Sequence, residues 1–76
     1  MPHVIVKLWP GKSETQKSEL ARAIAENVRT ILDASDRSVS VSIEEVAPDQ
    51  WMEEVYRPEI ADKPDALYKK PGYDAV

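Results

Sequence analysis

A chain of 76 residues without a cysteine has no disulfide framework or thiolate metal site, and a domain of that size hides only about 60% of the surface its unfolded form exposes. Its formal net charge of -4 argues against a nucleic-acid surface, and its 42% hydrophobic and 32% charged residues are those of a soluble globular domain. A single domain over residues 1–76 is expected, with association of a second copy supporting its small core. Lys7 and Pro10 interrupt the apolar N-terminal run, so no signal peptide or membrane span is read, and a cytoplasmic protein is expected.

Met1-Pro2 is followed at once by a strand, His3 to Trp9. Val4, Val6 and Leu8 fall on one face and His3, Ile5, Lys7 and Trp9 on the other, which is mixed rather than polar, so cover on both sides is expected. Pro10-Gly11 stops the strand. Ser13-Glu14-Thr15-Gln16 then has the form of a capping box, with Ser13 as N-cap and Gln16 reaching back to it. Leu20, Ile24, Val28 and Ile31 recur at helical spacing, widened by Ala21 and Leu32, which predicts a helix from about Glu14 to Leu32. From Ser38 the pattern changes to period two, with Val39, Val41 and Ile43 on one face and Ser40, Ser42 and Glu44 on the other.

Strand, helix, strand with a helix-length crossover predicts a parallel βαβ unit in an α+β fold, the Val-rich faces covered by the helix. Two strands and one helix are too little for a stable domain. Two protomers joining their sheets into four strands would repair this. Beyond Val46, Pro48 suits the first turn of a short helix through Trp51, Met52, Val55 and Tyr56, with Pro58 ending it. Pro64 suits a further helical turn carrying Leu67 and Tyr68, closed by Pro71-Gly72 before the tail from Tyr73 to Val76.

Few residues look like chemical tools. His3 is the single histidine and cannot build a histidine metal site; it reads as a satisfied strand residue before it reads as a ligand or catalyst. Gly11 and Gly72 are the only glycines, so no phosphate-cradling loop is present. The side chains of Glu44-Glu45 and of Glu53-Glu54 diverge and read as solvated faces. Pro2 differs. A proline at a strand start can be simply structural, because its missing N–H costs nothing there. With Met1 removed it would instead carry a secondary amine at a fixed place, and desolvation would draw that amine below the usual α-amino range of about 7.7–8.0.

Pro2 opening a strand, the Gly11-Lys12-Ser13 turn with Gln16-Lys17 beyond it, the Val39-Ser40-Val41 strand and the Trp51 segment occur together in this order. The chain resembles the tautomerase superfamily, similar to 4-oxalocrotonate tautomerase and closer to its dimeric phenylpyruvate tautomerase-like group, whose C-terminus the run Leu67-Tyr68-Lys69-Lys70-Pro71-Gly72-Tyr73 resembles. The resemblance implies a cofactor-independent keto–enol tautomerase, a homodimer, in which Pro2 acts as general base and then acid on a 2-oxo acid or its enol. It also implies that two substrate-binding arginines of the hexameric members fall at Lys12 and Ser40, and their aromatic wall at Trp51. Lysine keeps the charge without the planar fork and Ser40 has none, so an aryl-pyruvate suits the site better than a dicarboxylate. Arg37 either supplies a cation from the loop before Ser40 or is a solvated loop residue. The alternative to an enzyme is a ligand-holding or structural dimer of the same fold, with Pro2 serving only as a strand start.

Overall fold

The computed structural model describes residues 1–73. Two compact units make up the chain, Met1–Glu45 and a second starting at Val46. The first is the expected βαβ unit: β1 (His3–Leu8), α1 (Glu14–Ile31) and β2 (Ser40–Glu45). β1 and β2 pair in parallel, with His3 opposite Ser40, Val4 opposite Val41, Val6 opposite Ile43 and Leu8 opposite Glu45. Period-two alternation therefore puts Val4, Val6, Val41 and Ile43 on one face, where all four are half-buried and where α1 packs through its own half-buried Ala21, Ile24, Ala25 and Val28.

Both ends of α1 are closed by local chemistry. Ser13 has extended backbone angles, its hydroxyl accepts from the Gln16 N–H at 3.0 Å, and Gln16 Oε1 accepts from the Ser13 N–H at 2.9 Å. A cap of this kind contributes about 1 kcal/mol. At the other end Leu32 is the cap rather than the last helical residue, and Asp33 turns the chain at φ 54°. The Ala34 N–H then reaches back to the Arg29 carbonyl at 3.0 Å, the pattern of a left-handed helix stop. Aspartate tolerates this conformation better than most side chains do.

β2 starts two residues later than the alternation suggests, because Asp36–Ser38 form a 3-10 turn. The Ser38 N–H and hydroxyl both donate to the Ser35 carbonyl, at 3.1 and 2.8 Å. Serine commonly offers the backbone such an alternative to a strand ladder. The expected cover on both faces of β1 is absent from the first unit, since one helix shields one face. Ile5, on the other face, is 50% exposed.

The second unit departs further from expectation. A 3-10 turn at Pro48–Gln50 leads through Trp51 into a π-helix, Met52–Ala61. Pro58 lies inside this helix and does not end it. In an α-helix the proline ring strikes the carbonyl four residues back; the wider π-turn bonds five residues back, as the Asp62 N–H does to the Arg57 carbonyl at 3.0 Å. Pro64–Ala66 form one more 3-10 turn, with Leu67 its cap, so Leu67 and Tyr68 follow the turn instead of riding on it. Residues 74–76 of the expected tail lie outside the described residues. Val55, 6% exposed, is the buried hydrophobic residue among those described. No helix among them is long and apolar enough to cross a membrane.

Lys17 ties the start of α1 to the end of β2, with its Nζ 2.8 Å from Glu14 and 2.9 Å from Glu45. The hydrogen bond to Glu14, then that to Glu45, raises its pKa above the ordinary 10.5. A raised value means that the folded state holds the proton more tightly, so the bridge stabilises below 10.5 and is lost as pH rises through the folded value. Lys17→Met is therefore expected to lower the denaturation midpoint at neutral pH, the difference from the parent protein closing only in strong alkali. A difference that persists there would assign the effect to packing instead.

Candidate active site

Parallel pairing sets the starts of β1 and β2 side by side, and Pro2 lies at that end. It is half-buried, and its carbonyl accepts from the Ser40 N–H at 3.2 Å. The bond fastens the residue just outside the strand, where a chain end would otherwise fray. Met1, by contrast, is 103% exposed. Beside Pro2, His3 and Ser40 form the first rung of the sheet, and both are exposed on the face away from α1. His3 Nδ1 lies 2.6 Å from Ser40 Oγ. Arg37 is exposed in the 3-10 turn that leads into β2, at the same end.

Lys12 lies elsewhere. It is an exposed residue between β1 and α1, following Gly11, whose φ of 124° makes a turn that a side chain resists. β1 has six residues, which at a strand rise of about 3.3 Å per residue separate its two ends by about 17 Å. One chain thus brings Pro2, Ser40 and Arg37 to one end of the sheet and sends Lys12 to the other. The same far end carries a surface depression of about 490 Å³ lined by Glu14, Thr15, Ser18, Glu19 and Arg22. Two carboxylates in its wall suit an anionic substrate poorly.

Trp51 belongs to the second unit, where it is half-buried between the 3-10 turn and the π-helix. Its indole N–H donates to the Tyr73 hydroxyl at 2.9 Å, and the Tyr73 ring lies 5.6 Å from that of Tyr56, tilted by 42°. Periodicity gave no sign of this cluster, whose members are up to 22 residues apart. The His3–Ser40 contact was also missed, although the signal for it existed. Aligning the Val-rich faces, Val4 with Val41, places His3 across from Ser40.

A family model described as tautomerase enzyme matches residues 2–59, beginning at Pro2. The chain belongs to the tautomerase family. It is 41% identical over 73 residues to a probable tautomerase of Xylella fastidiosa, covering 96% of this chain and 89% of that protein. Tautomerase PptA of Pectobacterium carotovorum is 43% identical over 74 residues, covering 96% of this chain and 97% of the relative. Tautomerase PptA of Cronobacter sakazakii is 41% identical over 75 residues, covering 97% and 99%. Among solved structures, TomN, a 4-oxalocrotonate tautomerase homologue in the tomaymycin biosynthetic pathway, superposes with a TM-score of 0.64 at 25% identity, over 86% of this chain and 97% of TomN. The chain groups with the PptA-type tautomerases, and its activity is that of an isomerase.

Tyr73→Phe keeps the ring against Tyr56 and removes the acceptor for the Trp51 N–H. It is expected to cost about 1 kcal/mol of stability and, in a Trp9→Phe background, to shift Trp51 fluorescence towards the solvated indole. An unchanged spectrum and an unchanged midpoint would mean that the hydrogen bond does not position Trp51.

Proposed function

We propose that the protein is a cofactor-independent keto–enol tautomerase of 2-oxo acids such as phenylpyruvate, with Pro2, freed by removal of Met1, as general base and then general acid. The observation that carries this reading is the contrast at the chain start. Met1 is wholly exposed, so its excision removes no packing, whereas Pro2 is half-buried and fastened through its carbonyl. The nitrogen left behind is a secondary amine at a fixed place.

The step needs only a proton carrier. The neutral amine takes the proton from the enol oxygen, and the electron pair of that O–H bond becomes the second bond of the carbonyl. The C=C pair then takes the proton from the Pro2 ammonium at C3, giving the keto acid and the neutral amine again. A positioned group of this kind accelerates transfer by about 10²–10⁴-fold. Trp51, held by Tyr73, is assigned as the apolar wall for the aryl group. Lys12, with Arg37 and Ser40, is assigned to the carboxylate end.

The separation of Lys12 from Pro2 supports a homodimer. Among the described residues each strand of the two-stranded sheet has an unpaired edge, and Ile5, on the face away from α1, is half exposed. If two copies join edge to edge about a two-fold axis, their sheets form four strands with the inner pair antiparallel. Lys12 of each copy then comes to the end of the sheet where the other copy carries Pro2.

Two experiments test the reading. A preparation shown by mass to retain Met1 is expected to lose nearly all turnover of phenylpyruvate enol, because its Pro2 nitrogen is an amide; full activity there would refute Pro2 as the base. The second experiment mixes Met1-retaining chains with Lys12→Ala chains. Random pairing makes half the dimers mixed, each with one intact composite site, so activity should recover to about a quarter of that of the unmodified protein. Activity no higher than the mean of the two separate preparations would place Lys12 and Pro2 in different sites.

A further inference from the structure

The rung of the sheet next to Pro2 is the pair His3 and Ser40, and the next rungs on that face are Ile5 with Ser42 and Lys7 with Glu44. Both members of the first rung are exposed, yet their polar atoms approach to 2.6 Å. A hydrogen bond between two exposed side chains contributes at most about 1 kcal/mol to folding, since water satisfies both groups in the unfolded chain. What the bond does control is the direction in which the Ser40 proton points. If Ser40 donates to Nδ1, its oxygen offers only lone pairs to the surroundings, and an approaching anion is repelled. When Nδ1 carries the proton and donates to Oγ, the Ser40 hydroxyl hydrogen is free for an outside acceptor.

The Ser40 backbone N–H is bonded to the Pro2 carbonyl, and consecutive Cα atoms are about 3.8 Å apart. The residue that carries the hydroxyl is therefore hydrogen-bonded to Pro2, the residue that carries the amine, and pairs with the residue next to it. We propose that His3 is a specificity-determining positioning residue of the tautomerase site: donating through Nδ1, it turns the Ser40 hydroxyl towards the carboxylate of a 2-oxo acid held at Pro2. The proposal rests on the reading of Pro2 given above and adds a residue to it. A hydroxyl hydrogen aimed at a carboxylate makes a stronger bond than one aimed at a neutral ester carbonyl, so anionic substrates gain more than neutral ones.

The test uses the Met1-free, full-length protein and the variants His3→Leu, His3→Asn, Ser40→Ala and His3→Leu/Ser40→Ala. The readouts are direct titration with phenylpyruvate and turnover of the enols of phenylpyruvate and of its methyl ester. His3→Leu should raise Kd and KM for the acid about tenfold, in the range of a lost hydrogen bond to a charged group. Its kcat should hardly move, and its KM for the ester should stay close to that of the parent.

Ser40→Ala should do the same, the double variant should be no worse than either single one, and His3→Asn, whose amide nitrogen replaces Nδ1 as a donor, should restore most of the affinity. Unchanged acid affinity in His3→Leu, a multiplied loss in the double variant, or an equal loss for the ester would each overturn the proposal. Should His3→Leu fail to fold, the acid-to-ester ratio of Ser40→Ala and the affinity of His3→Asn decide the matter. A parent protein that binds phenylpyruvate without isomerising it refutes Pro2 as base and leaves the His3 result readable from Kd. One that does not bind it refutes both.

Discussion

The parallel register of β1 and β2 is the constraint on which the rest depends. A helix-length connection returns the chain to the end of the sheet from which it set out, so both strand starts share one end and both strand finishes share the other. Pro2, His3, Ser40 and Arg37 gather at the first end because they begin strands or lead into one. Lys12, Glu14, Lys17 and Glu45 gather at the second for the converse reason. Hydrophobic alternation fixes this arrangement tightly. A slip of one residue would turn Val41 and Ile43 away from α1 and Ser40 and Ser42 towards it.

The first unit was legible because its signals are local and mutually consistent. The Ser13–Gln16 box, the Leu20 to Ile31 spacing and the Val-rich strands each specify an element within a few residues, and their order specifies the topology. The errors lie where side chains compete with the backbone ladder, as Ser38 does when it bonds Ser35 and delays β2. Of the candidate site, the nearness of Pro2 and Ser40 at one end of the sheet was legible from the strand starts, whereas the bond from His3 to Ser40 needed the register between strands whose bonded residues are 37 apart in the chain.

The second unit was less legible for a physical reason. In an α-helix a proline ends or kinks the helix, so by α-helical rules Pro58 predicts a stop. Its ring is compatible with continued helical winding when the turn widens, and the π-helix supplies that turn. The wider turn also carries Tyr56 to the Tyr73 ring while Trp51, at the head of the same helix, donates to the Tyr73 hydroxyl. One tail residue thus holds two aromatic rings, a contact that no periodicity encodes.

If Pro2 is the base as proposed, the exposure of Met1 bears on when the protein becomes active. Among the described residues none packs on it, and it is wholly exposed. On the proposed chemistry Met1 is a propeptide of one residue, and activation is a peptide-bond cleavage that can precede or follow folding. The catalytic group is then made by processing, since the same proline nitrogen is an inert amide before the cut and a base after it. On the same chemistry, a residue left ahead of Pro2 keeps the nitrogen an amide and the base unmade.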